Sequence, residues 1–230
     1  MNRILLSFLL AVSALTAACS DDHGTGPAAG EARVRVVHAS PDAPAVDVLV
    51  DGAEVLSDVP FRAASDYLDV AAGTRNLKVN AAGTGTSVID ADVTLVDRTG
   101  YTVIASGLVA EIAAIVLEDD ASAPAAGTVR IRAIHGAPSA PAVDIYVTAP
   151  GADLASATPV LTDVAFGDAA DYMDAPAGEY QVRVTPAGTR TVVIDSGALT
   201  LTSGQVRTAI AVDAPGGGAP FDLLLLADLN

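Results

Sequence analysis

The stretch HASPDAPAVD beginning at His38 returns as HGAPSAPAVD beginning at His135, and this duplication restricts the fold more than any other feature of the chain. Arg33, Arg35, His38, Pro41, Pro44 and Asp47 meet Arg130, Arg132, His135, Pro138, Pro141 and Asp144, each 97 positions on. Past the segment TAPGADLASATP the match resumes at an offset of 105. There Phe61 meets Phe166, Asp66-Tyr67 meets Asp171-Tyr172, and the AGT at Ala82 meets the AGT at Ala187. The change of offset is an eight-residue insertion in the second copy. Whatever the first copy folds into, the second must fold into as well. The chain therefore divides into repeat 1 (33–119), a linker (120–128) of the composition DASAPAAGT, and repeat 2 (129–230).

Inside each copy, short alternating apolar runs are broken by turn residues, the period-two signature of half-buried strands. RVRVVH, VDVLV, SDYLDV, RNLKVN, SVIDADVTLV, YTVIAS and AAIVLE supply about seven strands in the first copy, and the second offers seven counterparts. Asp51-Gly52 and Ala82-Gly83-Thr84 read as hairpin turns, because glycine tolerates positive φ. No segment sustains a helical period. The composition is 51% hydrophobic but only 4% aromatic, without Trp, so Val, Ile, Leu and Ala must build the core. The expected fold is all-β: two tandem immunoglobulin-like or transthyretin-like β-sandwiches with almost no helix.

Val34, Val36 and His38 share one face of the first strand, and Ile131, Ala133 and His135 repeat the arrangement. Each histidine thus ends an inward row where the chain enters a proline loop. One reading is structural: one ring nitrogen donates to a loop carbonyl and the other accepts a backbone N–H. The other reading is a metal or ligand site completed by Asp47 or Asp66, and by Asp144 or Asp171. The spaced prolines read as a stiff connection or as a PxxP ligand. Asp47 and Asp144 alternate away from their apolar neighbours, so they are expected to face outward. There they would form weak surface ion pairs with Arg35 or Arg132, worth about 0–1 kcal/mol. Tyr67 and Tyr172 read either as buried tyrosines tied to a loop or as ligand-stacking rings. Acidic clusters such as Glu118-Asp119-Asp120 are candidates for Ca²⁺ without a closing loop template.

The chain opens with MNRILLSFLLAVSALTAAC, where Arg3 precedes an apolar run too short for a comfortable membrane span. Leu15-Thr16-Ala17-Ala18-Cys19 resembles a bacterial lipobox, so 1–18 is expected to be a lipoprotein signal, Cys19 the lipidated residue, and 19–32 a flexible tether. An ordinary secretory signal ending beside a chance cysteine is the alternative. Cys19 is the single cysteine, which excludes an intrachain disulfide. With 28 acidic against 12 basic residues the chain repels phosphate backbones, so no nucleic-acid partner is expected. No G-x-S-x-G or H-E-x-x-H occurs, and Ser40 and Ser65 become Ala137 and Ala170 in the second copy, so no serine travels with its histidine.

The opening V-R-x-x-H-A-S-P-D-A-P-A-V-D, the S-D-Y-x-x-V-x-A-G stretch and the A-G-T hairpin resemble the bacterial domain-of-unknown-function family 4397, in two copies. That resemblance implies exported, often envelope-attached β-rich proteins and brings no catalytic residues. The expected function is a lipid-anchored cell-envelope module, in the outer membrane if the host is Gram-negative, that binds or supports without catalysis. Its expected partners are the membrane through Cys19, and an envelope polymer or surface protein reached by an exposed edge strand; no cofactor is expected. The alternatives are a ligand- or metal-binding protein using the duplicated His and Asp positions, and a hydrolase with an unrecognised site.

Overall fold

A computed structural model describes residues 30–120 and 122–228. The signal segment, Cys19 and the tether up to residue 29 lie outside the described residues. Repeat 1 supplies eight strands: β1 (Glu31–Ala39), β2 (Val46–Val50), β3 (Ala53–Val59), β4 (Leu68–Ala71), β5 (Gly73–Ala81), β6 (Ser87–Leu95), β7 (Gly100–Ser106) and β8 (Ala113–Asp119). Repeat 2 supplies β9 (Thr128–His135), β10 (Val143–Thr148), β11 (Leu161–Val164), β12 (Met173–Pro176), β13 (Gly178–Pro186), β14 (Ile194–Leu201), β15 (Val206–Val212) and β16 (Asp222–Ala227). Among the described residues the remaining regular structure is two 3-10 turns, Val109–Glu111 and Leu154–Ser156.

Each repeat is a sandwich of two four-stranded sheets. The orders β3-β2-β5-β6 and β4-β1-β7-β8 in the first are matched by β11-β10-β13-β14 and β12-β9-β15-β16 in the second. The pairs β1–β7 and β9–β15 are parallel, which requires the chain to cross to the other sheet between them. Asp51 and Gly52 both take positive φ, 50° and 80°, as a two-residue turn between twisted strands demands. The strands β3 and β11 carry no clear alternation in sequence. β3 is a mostly exposed edge whose register slips against β2, so period two never had a buried face to mark.

The apolar rows face as their alternation requires. Val34, Val36, Val48, Leu77 and Val103 fill the first sandwich, and Val143, Ile145, Val184 and Ile194 fill the second. A further core joins the two. Val37, Ala39 and Ile104 of repeat 1 pack on Ile134, Ile210 and Val212 of repeat 2, flanked by Ile115, Leu117, Leu224 and Leu226. The sheets containing β1 and β9 therefore cover each other, giving four layers in all. This explains why β7 is buried along its whole length and reads YTVIAS without polar alternation. The rim of the joint is tied as well. The Gly216 amide donates to the Pro41 carbonyl at 2.7 Å, and the Ser106 hydroxyl to the Gly136 carbonyl at 3.1 Å. Gly136 stands where the first copy has Ala39, and a Cβ there would sit 2.9 Å from Ile210 Cγ2 and 3.0 Å from the Ala211 carbonyl oxygen.

Candidate functional site

At the end of the inward row of β1, His38 is fully buried, its Nε2 lies 2.9 Å from the Pro44 carbonyl oxygen, and its Nδ1 faces the Ser40 amide at 3.3 Å. His135 repeats this with the Pro141 carbonyl at 3.0 Å and the Ala137 amide at 3.3 Å. The only assignment that satisfies both contacts is a neutral ring, with Nε2–H donating and Nδ1 accepting. Phe61 and Phe166 close over the two imidazoles edge-on, at 6.0 and 6.2 Å between centroids. Both nitrogens of each ring are thus engaged by the backbone of a proline-stiffened loop, which lacks ladder partners of its own.

Burial holds the His38 pKa below the ordinary 6.5, and its bond to the Pro44 carbonyl offsets only part of that effect. An unfolded histidine takes up a proton near that value; the folded one resists it. The neutral corner therefore contributes fully above pH 6.5, and its contribution fades as the pH falls below that value. The melting temperature is expected to drop between about pH 7 and pH 5, and to drop less in a His38→Ala chain; a thermal melt at stepped pH measures both slopes.

Asp47 and Asp144 lie on the outer faces of their strands, as alternation requires, but turns close over them and bury them. Their side chains accept from two amides each: Asp58 at 2.8 Å and Gly83 at 2.9 Å for Asp47, Asp163 at 3.0 Å and Gly188 at 2.9 Å for Asp144. Asp58 and Asp163 sit at positive φ, 53° and 55°, so each carboxylate ties an edge-strand irregularity to the tip of the A-G-T hairpin. The two amides hold the Asp47 carboxyl below its ordinary pKa. The expected ion pairs of Asp47 with Arg35 and of Asp144 with Arg132 are not formed, because the arginines lie on the opposite face of the first strands. That face is the joint between repeats.

There the sequence expectation needs its largest revision. Arg35 Nη2 reaches Asp228 of repeat 2 at 2.6 Å and its Nη1 donates to the Ala227 carbonyl at 2.7 Å. Arg132 reaches back to Asp119 of repeat 1 and donates to the Glu118 carbonyl at 3.0 Å. Asp119 also accepts from the Tyr67 hydroxyl at 2.7 Å and from Thr102; Asp228 accepts from the Tyr172 hydroxyl at 2.8 Å and from Thr208 at 2.6 Å. Each guanidinium lies over a tyrosine of its own repeat, Arg35 at 4.8 Å from the Tyr67 ring and Arg132 at 4.6 Å from the Tyr172 ring. Burial, then the neighbouring carboxylate, push both phenols far above their ordinary pKa. The result is one polar cluster related to itself by exchange of the two copies.

This cluster answers the tyrosine question: both rings are braced against the interdomain arginines. It also removes the calcium reading of Glu118-Asp119-Asp120, since Asp119 is held by Arg132 and Asp120 by Arg130 at 2.6 Å. Asp66 and Asp171 are exposed and do not join their histidines. Ser40 donates its hydroxyl to the Gly107 carbonyl at 2.6 Å rather than to His38, so no serine–imidazole pair forms. Among the described residues no three His, Cys, Asp or Glu side chains gather closely enough to hold a metal ion. Asp228, Thr102 and Thr208 escaped the sequence reading, and Asp119 was read there only as part of an acidic cluster. The signal was present in I-V-L-E-D against L-L-L-A-D and in T-V-I-A against T-A-I-A, at offsets displaced again by small length changes.

The sequence matches the family described as a domain of unknown function, DUF4397, over residues 8–49, 32–146 and 147–230. No curated protein matches it. Among solved structures, similarity is found to a product complex of the multi-modular glycogen-degrading pneumococcal virulence factor SpuA. The two are 14% identical with a TM-score of 0.28, over 77% of this chain and 20% of that one. The Bacillus anthracis TIE protein is 10% identical with a TM-score of 0.26, over 80% and 34%. A family 26 carbohydrate-binding module of Eubacterium rectale Amy13K, crystallised with maltoheptaose, is 8% identical with a TM-score of 0.25, over 86% and 97%. The chain thus spans about a fifth and a third of the first two proteins. Likeness at this level assigns no ligand.

Proposed function

The chain belongs to the DUF4397 family, and we propose that it is a lipid-anchored cell-envelope protein whose two fused sandwiches form a rigid, non-enzymatic binding or supporting module. One observation carries the reading: the duplicated polar residues are engaged inside the protein. His38 and His135 hold the proline loops, Asp47 and Asp144 hold hairpins, and Arg35, Arg132, Tyr67 and Tyr172 hold the two copies together. A motif consumed in this way leaves recognition to outer sheet faces and edges, where an envelope polymer or a surface protein would be met. Cys19, ahead of a polar tether, is the anchor in this reading.

The test is made in a bacterial host. The unaltered chain partitions into the detergent phase on Triton X-114 separation and incorporates labelled palmitate. Cys19→Ser loses the label and moves to the aqueous phase, and the reading falls if the variant keeps both properties. Co-sedimentation of the anchored chain with isolated envelope polymer, or its crosslinking to a surface protein in intact cells, then separates the two partner classes.

A further inference from the structure

The two sandwiches differ most along one side. In repeat 1 the edge strand β3 runs seven residues and pairs with β2 to its last residue, Val50 with Ala53. In repeat 2 the insertion shortens β11 to four residues, and its pairing with β10 stops at Ile145 with Leu161. The inserted loop does not take the vacated place. Arg183 holds it through the Ala152 carbonyl at 2.8 Å, and Arg190 through the Leu154 and Ala157 carbonyls at 2.7 Å. The Ile145 carbonyl accepts the Val160 amide at 2.8 Å, so by strand alternation the backbone groups of Val147 point to the same side, where no strand of the described residues pairs with them.

Beside this open edge lies a cavity of about 190 Å³ lined by Ile131, Val147, Val160, Met173, Asp174 and Ala175. Val160 and Met173 are 46% and 37% exposed there. Further along the same side, a second depression is walled by β11 and residues 168–170, with Asp163 and Asp168 in its lining. Neither carboxylate has a basic partner within salt-bridge distance among the described residues. An apolar hole, the unpaired backbone groups of Val147 at the end of β10 and two acids at the neighbouring depression complement an extended chain.

We propose that the β10–β12 side of repeat 2 binds an extended polypeptide segment by strand addition to β10. One apolar side chain of the segment fills the cavity at Met173, and a lysine or arginine farther along meets Asp163 and Asp168. The Val147 N–H and C=O, set side by side on the strand edge, favour a polypeptide over a lipid or a glycan, since an extended chain presents a carbonyl and an amide at the matching spacing. The cavity takes one side chain, too little for a larger ligand. The proposal rests on the reading of the chain as a binding module and gives that module a site.

The probe is a phage-displayed library of random 12-residue peptides, selected on the full chain carrying Cys19→Ser. Enriched peptides alternate apolar residues and carry at least one basic residue. The best of them, synthesised and labelled, binds Met173→Glu and Val160→Glu at least tenfold more weakly and Val55→Glu, on the exposed β3 of repeat 1, unchanged. N-methylation of alternate backbone nitrogens abolishes binding in one of its two registers. Val160 lies in an exposed loop, so its variant keeps the fold even if Met173→Glu does not. The proposal is overturned if no peptide is enriched, if both site variants bind as tightly as the unaltered chain, or if N-methylation leaves binding unchanged in both registers. Any of these results with Cys19-dependent anchoring intact removes the site and leaves the envelope reading. Loss of anchoring removes that reading whatever the peptides do.

Discussion

Asp119→Ala is expected to destabilise the whole chain by about 3–5 kcal/mol, the range for removing one partner of a buried ion pair. The side chains of Asp119 and Arg132 are 0% and 3% exposed, so neither charge recovers solvent when its partner is lost. The same substitution strips an acceptor from the Tyr67 and Thr102 hydroxyls. Asp228→Ala should cost a similar amount, because Arg35, Tyr172 and Thr208 stand in the same relation to it. Replacing both members, as in Asp119→Leu with Arg132→Met, should recover most of the loss, since apolar groups of matching size need no compensating charge. Urea unfolding at neutral pH measures all of these. Losses below about 1 kcal/mol for both single variants would place the pairs in solvent and dissolve the joint described here.

His38→Ala and His135→Ala should each cost about 2–4 kcal/mol, combining an unfilled buried space with a prolyl carbonyl and a loop amide left without partners. The two effects should be nearly equal and nearly additive, as the corners repeat each other and lie in separate sandwiches. A catalytic or ligating histidine predicts otherwise: loss of activity or of metal with little loss of stability.

Much of this architecture was legible in the sequence because its causes are local. Val34, Val36 and His38 alternate, so the inward row and the buried imidazole at its end follow from period two. The ring's two backbone contacts follow from the prolines beside it. Asp51-Gly52 specifies its own turn. The failures share a different cause. Asp47 occupies an outward position by strand parity, yet the bulge at Asp58 and the hairpin tip at Gly83 close over it, and parity says nothing about loops that fold back. Arg35 and Arg132 also alternate outward, as expected; what covers them is the other copy, a contact between residues 193 positions apart in one case. No local period encodes such a contact. The clue was the near-continuous burial-type composition of β7 and β15, which only strands covered on both faces can carry. The insertion was visible as a change of offset, but its consequence, an open edge on β10, depends on where Arg183 and Arg190 pin the loop.

The central claim is that the duplicated polar residues hold the fold and do not bind a ligand. The most direct test is a thermal melt of the unaltered chain beside His38→Ala and His135→Ala, each with EDTA and with added divalent metal. The account predicts that both variants melt lower by similar amounts and that neither EDTA nor metal moves any of the three curves. A wild-type melting temperature that falls with EDTA and returns with metal, while the variants stay indifferent to both, would contradict it and make the repeated corner a binding site.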